Sequence, residues 1–187
     1  MQCTIVQAHP NSDSLCAAAV GRVKAQHSDH ALIDLYADEF NPVLSQVEMQ
    51  RRFPWDPLTQ RYIHTIENSE LVYFVYPEWW GGPPAILKGF LDRVLRPEVA
   101  YRFSGQPGGA KKVLPMWQDK TFQVIVTSDS AEQDTGQRAR AMWTAVGDFC
   151  GARLADPAVF GPVYTSTARQ RTRFLQSLES LHPAQMT

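Results

Sequence analysis

A strand pattern followed directly by a tryptophan-rich loop and a helix pattern most constrains what this chain can fold into. Residues 71–76 are almost all apolar and β-favouring, which is typical of a strand covered on both faces of a parallel sheet. After the loop, Pro84 suits the first turn of a helix, and apolar residues then recur at spacings of three and four. We therefore predict a buried strand, a loop at its carboxyl end and a helix that packs back on the sheet.

Strand and helix patterns alternate along the whole chain, which favours an α/β fold with helices on both faces of a parallel sheet. We predict five strands in the order 2-1-3-4-5, at residues 3–8, 31–36, 71–76, 122–127 and 153–160. The predicted helices cover residues 15–26, 58–68, 84–95, 137–150 and 167–181, with a short one after a capping box, Ser45-x-x-Glu48. Ser14 is placed to cap the first helix, and Gly151 to end the fifth of the six. The long irregular segment 101–120 is predicted to be a lid or a subunit contact.

Composition narrows the classes of function. With 187 residues, 44% of them hydrophobic, the chain can bury the core of a single domain over residues 1–187 without disulfides or a metal. A net charge of −1 provides no basic field, so we expect no nucleic-acid partner. No apolar stretch reaches membrane-spanning length and no leader pattern precedes the first strand, so we expect no membrane insertion and a cytoplasmic location. Three cysteines without metal-type spacing predict neither a disulfide framework nor a metal site.

The loop after the third strand carries side chains that suit an aromatic ligand. Pro77 stiffens the backbone, Trp79 and Trp80 offer flat apolar surface, and Gly81 lets the backbone approach a ligand closely. Open α/β sheets bind their ligands in the crevice outside the carboxyl ends of the strands, which is where this loop is predicted to lie. On the residues alone two hypotheses remain open, a ring-binding loop and a loop that is only well packed.

A second candidate site follows the first strand, where short polar residues lead into a helix. Unpaired amides and the positive end of the helix dipole, with the hydroxyls of Ser12 and Ser14 and the ring of His9, can hold a phosphate. The alternative is a polar turn and helix cap without a ligand. Neither the glycine pattern of a dinucleotide fingerprint nor the Gly-Lys-Ser/Thr ending of a P-loop is present.

These segments resemble the flavodoxin-like NAD(P)H:quinone oxidoreductases. The motifs that carry the resemblance are Pro77-x-x-Trp80, Pro84-Ala85-Ile86-Leu87-Lys88-Gly89 and Asp92-Arg93-Val94, together with Ala8-His9-Pro10 and Ser14, residues 34–45, and Thr127-Ser128-Asp129. The resemblance runs from the first strand nearly to the C-terminus. It implies a flavodoxin-like fold, a non-covalent FMN or FAD, and NADH or NADPH as the electron donor.

The resemblance also implies which residues hold the flavin. The implied cofactor-binding residues are His9, Ser14, Leu15 and Cys16 after the first strand, Pro77, Glu78, Trp79, Trp80 and Gly81 after the third, and Thr127, Ser128 and Asp129 after the fourth. Cys16 stands where family members commonly carry Asn, and it is either a reactive thiol at a helix N-terminus or a small packed side chain. Thr-Ser-Asp replaces the commoner Thr-Gly-Gly, which is typical of one sub-branch.

The activity implied by the resemblance is hydride transfer from a nicotinamide to the flavin, and then reduction of a quinone, or of an azo or nitro compound, by two electrons. Trp80 and Tyr101 are the implied catalytic residues, with Tyr101 covering the acceptor across the interface of a homodimer. Two other hypotheses stay open. One is a one-electron carrier flavodoxin, although such chains are usually strongly acidic, and the other is an ancillary subunit of a potassium efflux system.

Overall fold

A parallel β-sheet lies at the centre of the computed structural model, which describes residues 2–51, 55–105 and 111–181. The strands are β1 (Cys3–Gln7), β2 (His30–Asp34), β3 (Leu71–Pro77), β4 (Tyr101–Ser104), β5 (Lys112–Pro115), β6 (Thr121–Thr127), β7 (Arg153–Leu154) and β8 (Ala158–Phe160). The helices are α1 (Leu15–Gln26), α2 (Gln46–Met49), α3 (Pro57–Glu67), α4 (Ala85–Val94), α5 (Glu132–Cys150) and α6 (Ala168–Ser177), and a 3₁₀ turn covers Leu178–Ser180.

The strands of the main sheet follow the order β2-β1-β3-β6-β7, and β8 also pairs with β6. All of these pairings are parallel. The predicted parallel α/β sheet is confirmed, but the prediction of five strands is wrong because the sheet has six. The predicted last strand is two short strands, β7 and β8, since Pro157 between them has no amide hydrogen to donate to the ladder. The segment stays beside β6 through the amide of Ala155, which donates to the carbonyl of Phe122 at 2.9 Å.

The segment 101–120, predicted as a long irregular loop, contains an antiparallel hairpin. Tyr101 pairs with Pro115 and Ser104 pairs with Lys112, so that β4 and β5 form a separate two-stranded sheet. The residues between them, 106–110, lie outside the described part of the chain. This hairpin was not predicted, because only short stretches of alternating pattern flank a run rich in glycine and lysine.

Both faces of the main sheet are covered, which explains the unbroken apolar run of β3. Val72, Phe74 and Tyr76 pack into one core with α3, α4 and α5, where the largest buried side chains include Tyr62, Phe90 and Trp143. Leu71, Tyr73 and Val75 point to the opposite face and pack with α1 and α6. Successive side chains of a strand point to opposite faces, so a strand between two helix layers must be apolar at every position.

The observed helix ends agree in part with those predicted from the sequence. Ser14 caps α1 by accepting from the amide of Ala17, and Gly151 ends α5 at φ 87°, as predicted. The capping box is only half formed. The hydroxyl of Ser45 accepts from the amide of Glu48, but the Glu48 carboxylate turns inward to Arg93. Helix α5 begins at Glu132, five residues before its predicted start, because acidic residues at a helix N-terminus are favourable while carrying no apolar periodicity.

Within residues 2–51, 55–105 and 111–181, no helix is long and apolar enough to cross a membrane. In the same ranges, no three His, Cys, Asp or Glu side chains are grouped in a way that could hold a metal ion.

Candidate functional site

Three loops meet at the carboxyl edge of the main sheet, because β1, β3 and β6 are parallel neighbours. The amide of Ala8 donates to the carbonyl of Val75 at 3.0 Å, and the amide of Glu78 donates to the carbonyl of Thr127 at 2.7 Å. A cavity of about 440 Å³ opens between the β3 and β6 loops, and its lining residues are Glu78, Trp79, Trp80, Gly81, Ser128, Asp129 and Ser130. The structure therefore brings together residues that the sequence placed in separate segments.

The β1 loop joins this cluster through the rings of His9 and Trp79, whose centroids lie 6.3 Å apart. The amide of Asn11 donates to His9 Nδ1 at 3.0 Å, so the ring proton of neutral His9 is on Nε2. Burial lowers the pKa of His9, which favours the neutral ring. His9 Nε2 is therefore a hydrogen-bond donor at the edge where the three loops meet.

Trp80 lies at the tip of a tight turn with its side chain fully exposed, at 105% of the reference area. The amide of Trp79 donates to the carbonyl of Gly82 at 2.9 Å, and the reverse bond measures 3.1 Å. Both residues between them have positive φ angles, 55° at Trp80 and 77° at Gly81, which is the backbone of a type I′ turn. Glycine or asparagine is usual there, and a bulky residue in this conformation costs on the order of 1–3 kcal/mol.

The Trp79–Gly82 turn also carries backbone donors. Within the described part of the chain, no backbone carbonyl accepts from the amides of Trp80 or Gly81. An exposed indole and two adjacent free amides form a surface that can take a flat ring with polar edges. Pro77, by contrast, is buried as the last residue of β3 and sets the direction in which the loop leaves the sheet.

The Glu78 carboxylate is engaged inside the protein. Oε1 accepts from Arg138 Nε at 2.7 Å, and Oε2 accepts from Arg138 Nη2 at 2.9 Å, Thr135 Oγ1 at 2.9 Å and Ser128 Oγ at 2.8 Å. The hydrogen bond from Arg138 is the main cause that lowers the pKa of Glu78 from 4.5 to about 2. Since these bonds engage both carboxylate oxygens and the Glu78 amide donates to the Thr127 carbonyl, a contact from Glu78 to a ligand would come from its backbone carbonyl.

Arg138 is the residue at this site that sequence reasoning missed. It lies in α5, sixty residues beyond Glu78. A basic residue on a polar helix stretch carries no local signal of a partner in another loop. Only the packing of α5 against the end of β6 places the two side chains together.

The N-terminus of α1 has the features of an anion site. The hydroxyl of Ser14 accepts from the amide of Ala17 at 3.1 Å, which leaves its hydroxyl hydrogen for another acceptor. The first amides of a helix, here those of Leu15 and Cys16, have no carbonyl partner within the helix, and the helix dipole makes this end positive. The Ser14 hydroxyl and the amides of Leu15 and Cys16 are therefore grouped at the first turn of α1.

The Cys16 side chain is packed and does not face a ligand. Its sulfur lies 3.2 Å from Thr127 Oγ1, and the residue is 1% exposed. Burial raises the pKa of the thiol to about 12, so it is protonated at neutral pH. This geometry supports the interpretation of Cys16 as a small packed side chain, and only its backbone amide is available to a ligand.

The β6 loop is braced by the segment after β8, which sequence analysis did not assign to the site. The amide of Ser128 donates to the carbonyl of Phe160 at 2.9 Å, and Asp129 Oδ1 accepts from the amide of Tyr164 at 2.6 Å. A β-carbon at Gly161 would lie 2.5 Å from the Ser130 carbonyl oxygen, so this close approach requires glycine. The Ser128 amide is therefore not free for a ligand.

Tyr101 lies in a different cavity. Its ring packs on Phe149 and Phe103, with centroid distances of 4.6 Å and 5.5 Å, and burial raises its pKa. The groove it lines, of about 450 Å³, is largely apolar and includes Leu44, Leu91, Leu95, Met142 and Val146. Tyr101 is not among the residues that line the cavity at Trp80. Within one chain, the structure does not bring the two predicted catalytic residues to one cavity.

Similarity to known proteins agrees with this geometry. The model of a family described as having a flavodoxin-like fold matches residues 1–181. A Haemophilus influenzae protein described as an NAD(P)H oxidoreductase is 30% identical over 193 residues, which cover 98% of this chain and 95% of that protein.

Two solved structures share the fold at lower identity. An NAD(P)H:quinone oxidoreductase from Methanothermobacter marburgensis superposes with a TM-score of 0.81 at 23% identity, covering 96% of this chain and 95% of the other. An FMN-dependent NADH-azoreductase from Bacillus anthracis, solved in complex with FMN, gives 0.70 at 14% identity, covering 96% of each chain.

Proposed function

Because this chain belongs to the family of flavodoxin-like NAD(P)H:quinone oxidoreductases, we propose that it is a flavin-dependent NAD(P)H oxidoreductase that reduces a quinone or a similar small acceptor. The observation that carries the proposal is Trp80, a fully exposed ring held in a left-handed conformation where the β1, β3 and β6 loops meet. Strain of this kind persists where the surrounding structure maintains it, and it clusters at ligand sites.

The residues of the site fit a non-covalent FMN or FAD. The turn formed by Trp79, Trp80 and Gly81 supplies an apolar surface beside the two amides without carbonyl partners, and these amides would stabilise negative charge on the ring edge. The N-terminus of α1, with Ser14 and His9, would hold the phosphate. The bound flavin would take hydride from NADH or NADPH and deliver two electrons to the acceptor.

We propose that the protein acts as a homodimer in which Tyr101 of one copy approaches the Trp80 site of the other. The support is an apolar surface around the Tyr101 groove, where Phe103 is 50% exposed and Phe149 43% exposed. Exposed apolar area of this kind marks an interaction surface. The single domain and the cytoplasmic location remain proposals, and the three buried, unpaired thiols agree with a reducing compartment.

The visible absorption spectrum of the purified protein tests the proposal. We expect a flavin spectrum, or its recovery on adding FMN or FAD, that bleaches anaerobically with NADH or NADPH without a lasting semiquinone. The titration identifies the effective donor, and chromatography of the flavin released by denaturing the protein distinguishes FMN from FAD. A stable semiquinone would favour a one-electron carrier, and a protein that neither binds flavin nor oxidises either nucleotide would contradict the proposal.

Trp80→Ala tests the site itself. We expect flavin affinity and turnover to fall by about tenfold or more, because the exposed ring is the largest flat surface at the cavity. Leu32→Ala is the control, since Leu32 is also an exposed apolar residue, 42% accessible, on the outer strand β2. Equal flavin affinity in Trp80→Ala and the parent protein would place the flavin elsewhere.

A further inference from the structure

Arg138 lies beside the Trp79–Gly82 turn and pairs with the residue that precedes it. Its guanidinium makes the bidentate pair with Glu78, at the residue where the chain enters the turn. Its aliphatic part lies beside the tip, since a β-carbon at Gly81 would be 3.5 Å from Arg138 Cδ. One side chain of α5 thus binds the residue at the base of the turn that presents Trp80 and lies close to the tip of that turn.

The turn needs such support because its own sequence does not favour its backbone. Trp80 has φ 55°, a conformation that bulky residues rarely adopt and that persists only where neighbouring contacts maintain it. The two hydrogen bonds between Trp79 and Gly82 close the turn but do not attach it to the rest of the protein. The attachment is made at Glu78, whose side chain is 5% exposed and receives donors from the β6 loop and from α5.

We propose that Arg138 is a positioning residue for the flavin ring, because it holds the Trp79–Gly82 turn through Glu78 in the conformation that presents the Trp80 indole and the amides of Trp80 and Gly81. The inference rests on the proposed flavin function and gives Glu78 a different role from the direct cofactor contact that sequence resemblance implies. Arg138 acts on the flavin through the turn and does not take part in electron transfer.

The chain offers a matched control on the same helix. Arg140 donates to Asp156 at 2.9 Å, with side chains 55% and 80% exposed, and neither residue lines the cavity at Trp80. Arg138→Gln and Arg140→Gln remove the same charge from α5 two residues apart. Glu78→Gln and the double variant Glu78→Gln/Arg138→Gln test whether the two residues act through one contact, and Arg138→Lys tests the need for a bidentate donor.

Dissociation constants for FMN and FAD, together with kcat and KM for the nucleotide, are the readouts. We expect Arg138→Gln to weaken flavin binding by about tenfold or more, while KM measured on flavin-saturated enzyme stays within about twofold. The double variant should be no weaker than the worse single variant, because both changes remove one interaction. Arg138→Lys should recover part of the affinity, since an ammonium restores the charge but not the planar fork. Arg140→Gln should bind flavin as the parent protein does.

A readout that needs no flavin separates this inference from the proposed function. The indole N–H resonance of Trp80, assigned by its loss in Trp80→Phe, should be single and sharp in the parent protein and should broaden or split in Arg138→Gln but not in Arg140→Gln. A parent protein that binds no flavin would refute the proposed function, and with it the flavin-positioning role, while the resonance would still show whether Arg138 holds the turn. Unchanged flavin affinity and an unchanged resonance in Arg138→Gln would overturn the inference alone.

Discussion

Among the Glu–Arg pairs of the described residues, Glu48–Arg93 and Glu78–Arg138 each tie distant parts of the chain together, and they differ in depth and in what they hold. Glu48 and Arg93 are both nearly buried, with side chains 11% and 6% exposed, and Arg93 Nε lies 3.1 Å from each carboxylate oxygen. Glu78 is equally enclosed, but its partner Arg138 is 39% exposed. The first pair lies within the layer of helices, and the second lies beside the candidate site.

The partners of each pair show what it stabilises. Arg93 also donates to the carbonyl of Asn41 at 2.6 Å and to Asp56 Oδ2 at 3.2 Å, so it fastens the loop after β2 and the start of α3 to α4. Glu78 fastens one four-residue turn to α5 and to the β6 loop. The comparison shows that a Glu–Arg ion pair stabilises the packing of several elements when both side chains are buried. When the arginine remains partly in water, the pair stabilises one local conformation.

Arg93→Ala should have the largest effect on stability. Removing the arginine takes away the hydrogen-bonded partner of the nearly buried Glu48 carboxylate and leaves only the Arg96 guanidinium, at 3.5 Å; breaking a buried pair typically costs about 3–5 kcal/mol. Urea unfolding monitored by fluorescence measures the loss. Arg61→Ala is the control, because the Arg61–Asp38 pair is a surface pair whose arginine is 63% exposed, and it should cost less than about 1 kcal/mol. Equal losses in the two variants would remove the distinction between buried and exposed pairs.

Lowering the pH should remove the stability that the Glu78–Arg138 pair contributes. The pKa of Glu78 in the folded protein, about 2, lies below its ordinary value of 4.5 because of Arg138. Its contribution is therefore complete above pH 4.5 and is lost as the pH falls from 4.5 to about 2. Over that interval the parent protein should lose about 1–3 kcal/mol more unfolding free energy than Glu78→Gln. Parallel stability curves for the two proteins would show that the Glu78 pKa is not lowered.

Arg138→Gln should lower the unfolding free energy by less than Arg93→Ala does. Its partner keeps hydrogen bonds from Ser128 and Thr135, and the arginine is already partly in water. Thermal and urea unfolding of the flavin-free protein measure this effect apart from ligand binding. A loss as large as that of Arg93→Ala would mean that the Glu78 pair supports the whole fold.

Trp80→Gly should have the smallest effect on stability, and in the opposite direction. Glycine adopts φ 55° without strain, but it is more flexible in the unfolded chain, so the unfolding free energy should stay the same or rise by up to about 1 kcal/mol. Flavin affinity should fall in the same variant. A clear destabilisation in urea unfolding would show that the exposed indole supports the fold itself.

Local sequence patterns predicted most of the helices and strands but not the side-chain contacts between residues far apart in the chain. The apolar run of β3, the cap at Ser14 and the stop at Gly151 were predictable because each depends on neighbouring residues. The half-formed capping box shows the limit. Glu48 has the right spacing from Ser45, but its carboxylate is taken by Arg93, forty-five residues away, which no local rule contains.

The candidate site likewise has features that the sequence predicted and features that depend on tertiary packing. Motif positions predicted that the candidate site is formed by the loops after β1, β3 and β6, because the carboxyl ends of parallel strands meet at one edge of the sheet. Sequence could not show that the Cys16 thiol is enclosed beside Thr127, or that the Ser128 amide is already bonded to Phe160. Each depends on how a helix or a later segment packs against the loop.

The sequence by itself determined the parallel α/β layers, the position of the tryptophan-rich loop and the polar cap at the start of α1, since periodicity, capping and turn chemistry act over a few residues. Tertiary structure decided the left-handed conformation of Trp80, the pairing of Glu78 with Arg138 and the separation of Tyr101 from the Trp80 cavity. These features depend on contacts between residues far apart in the chain, which form only when α5 and the loops are packed on the finished sheet.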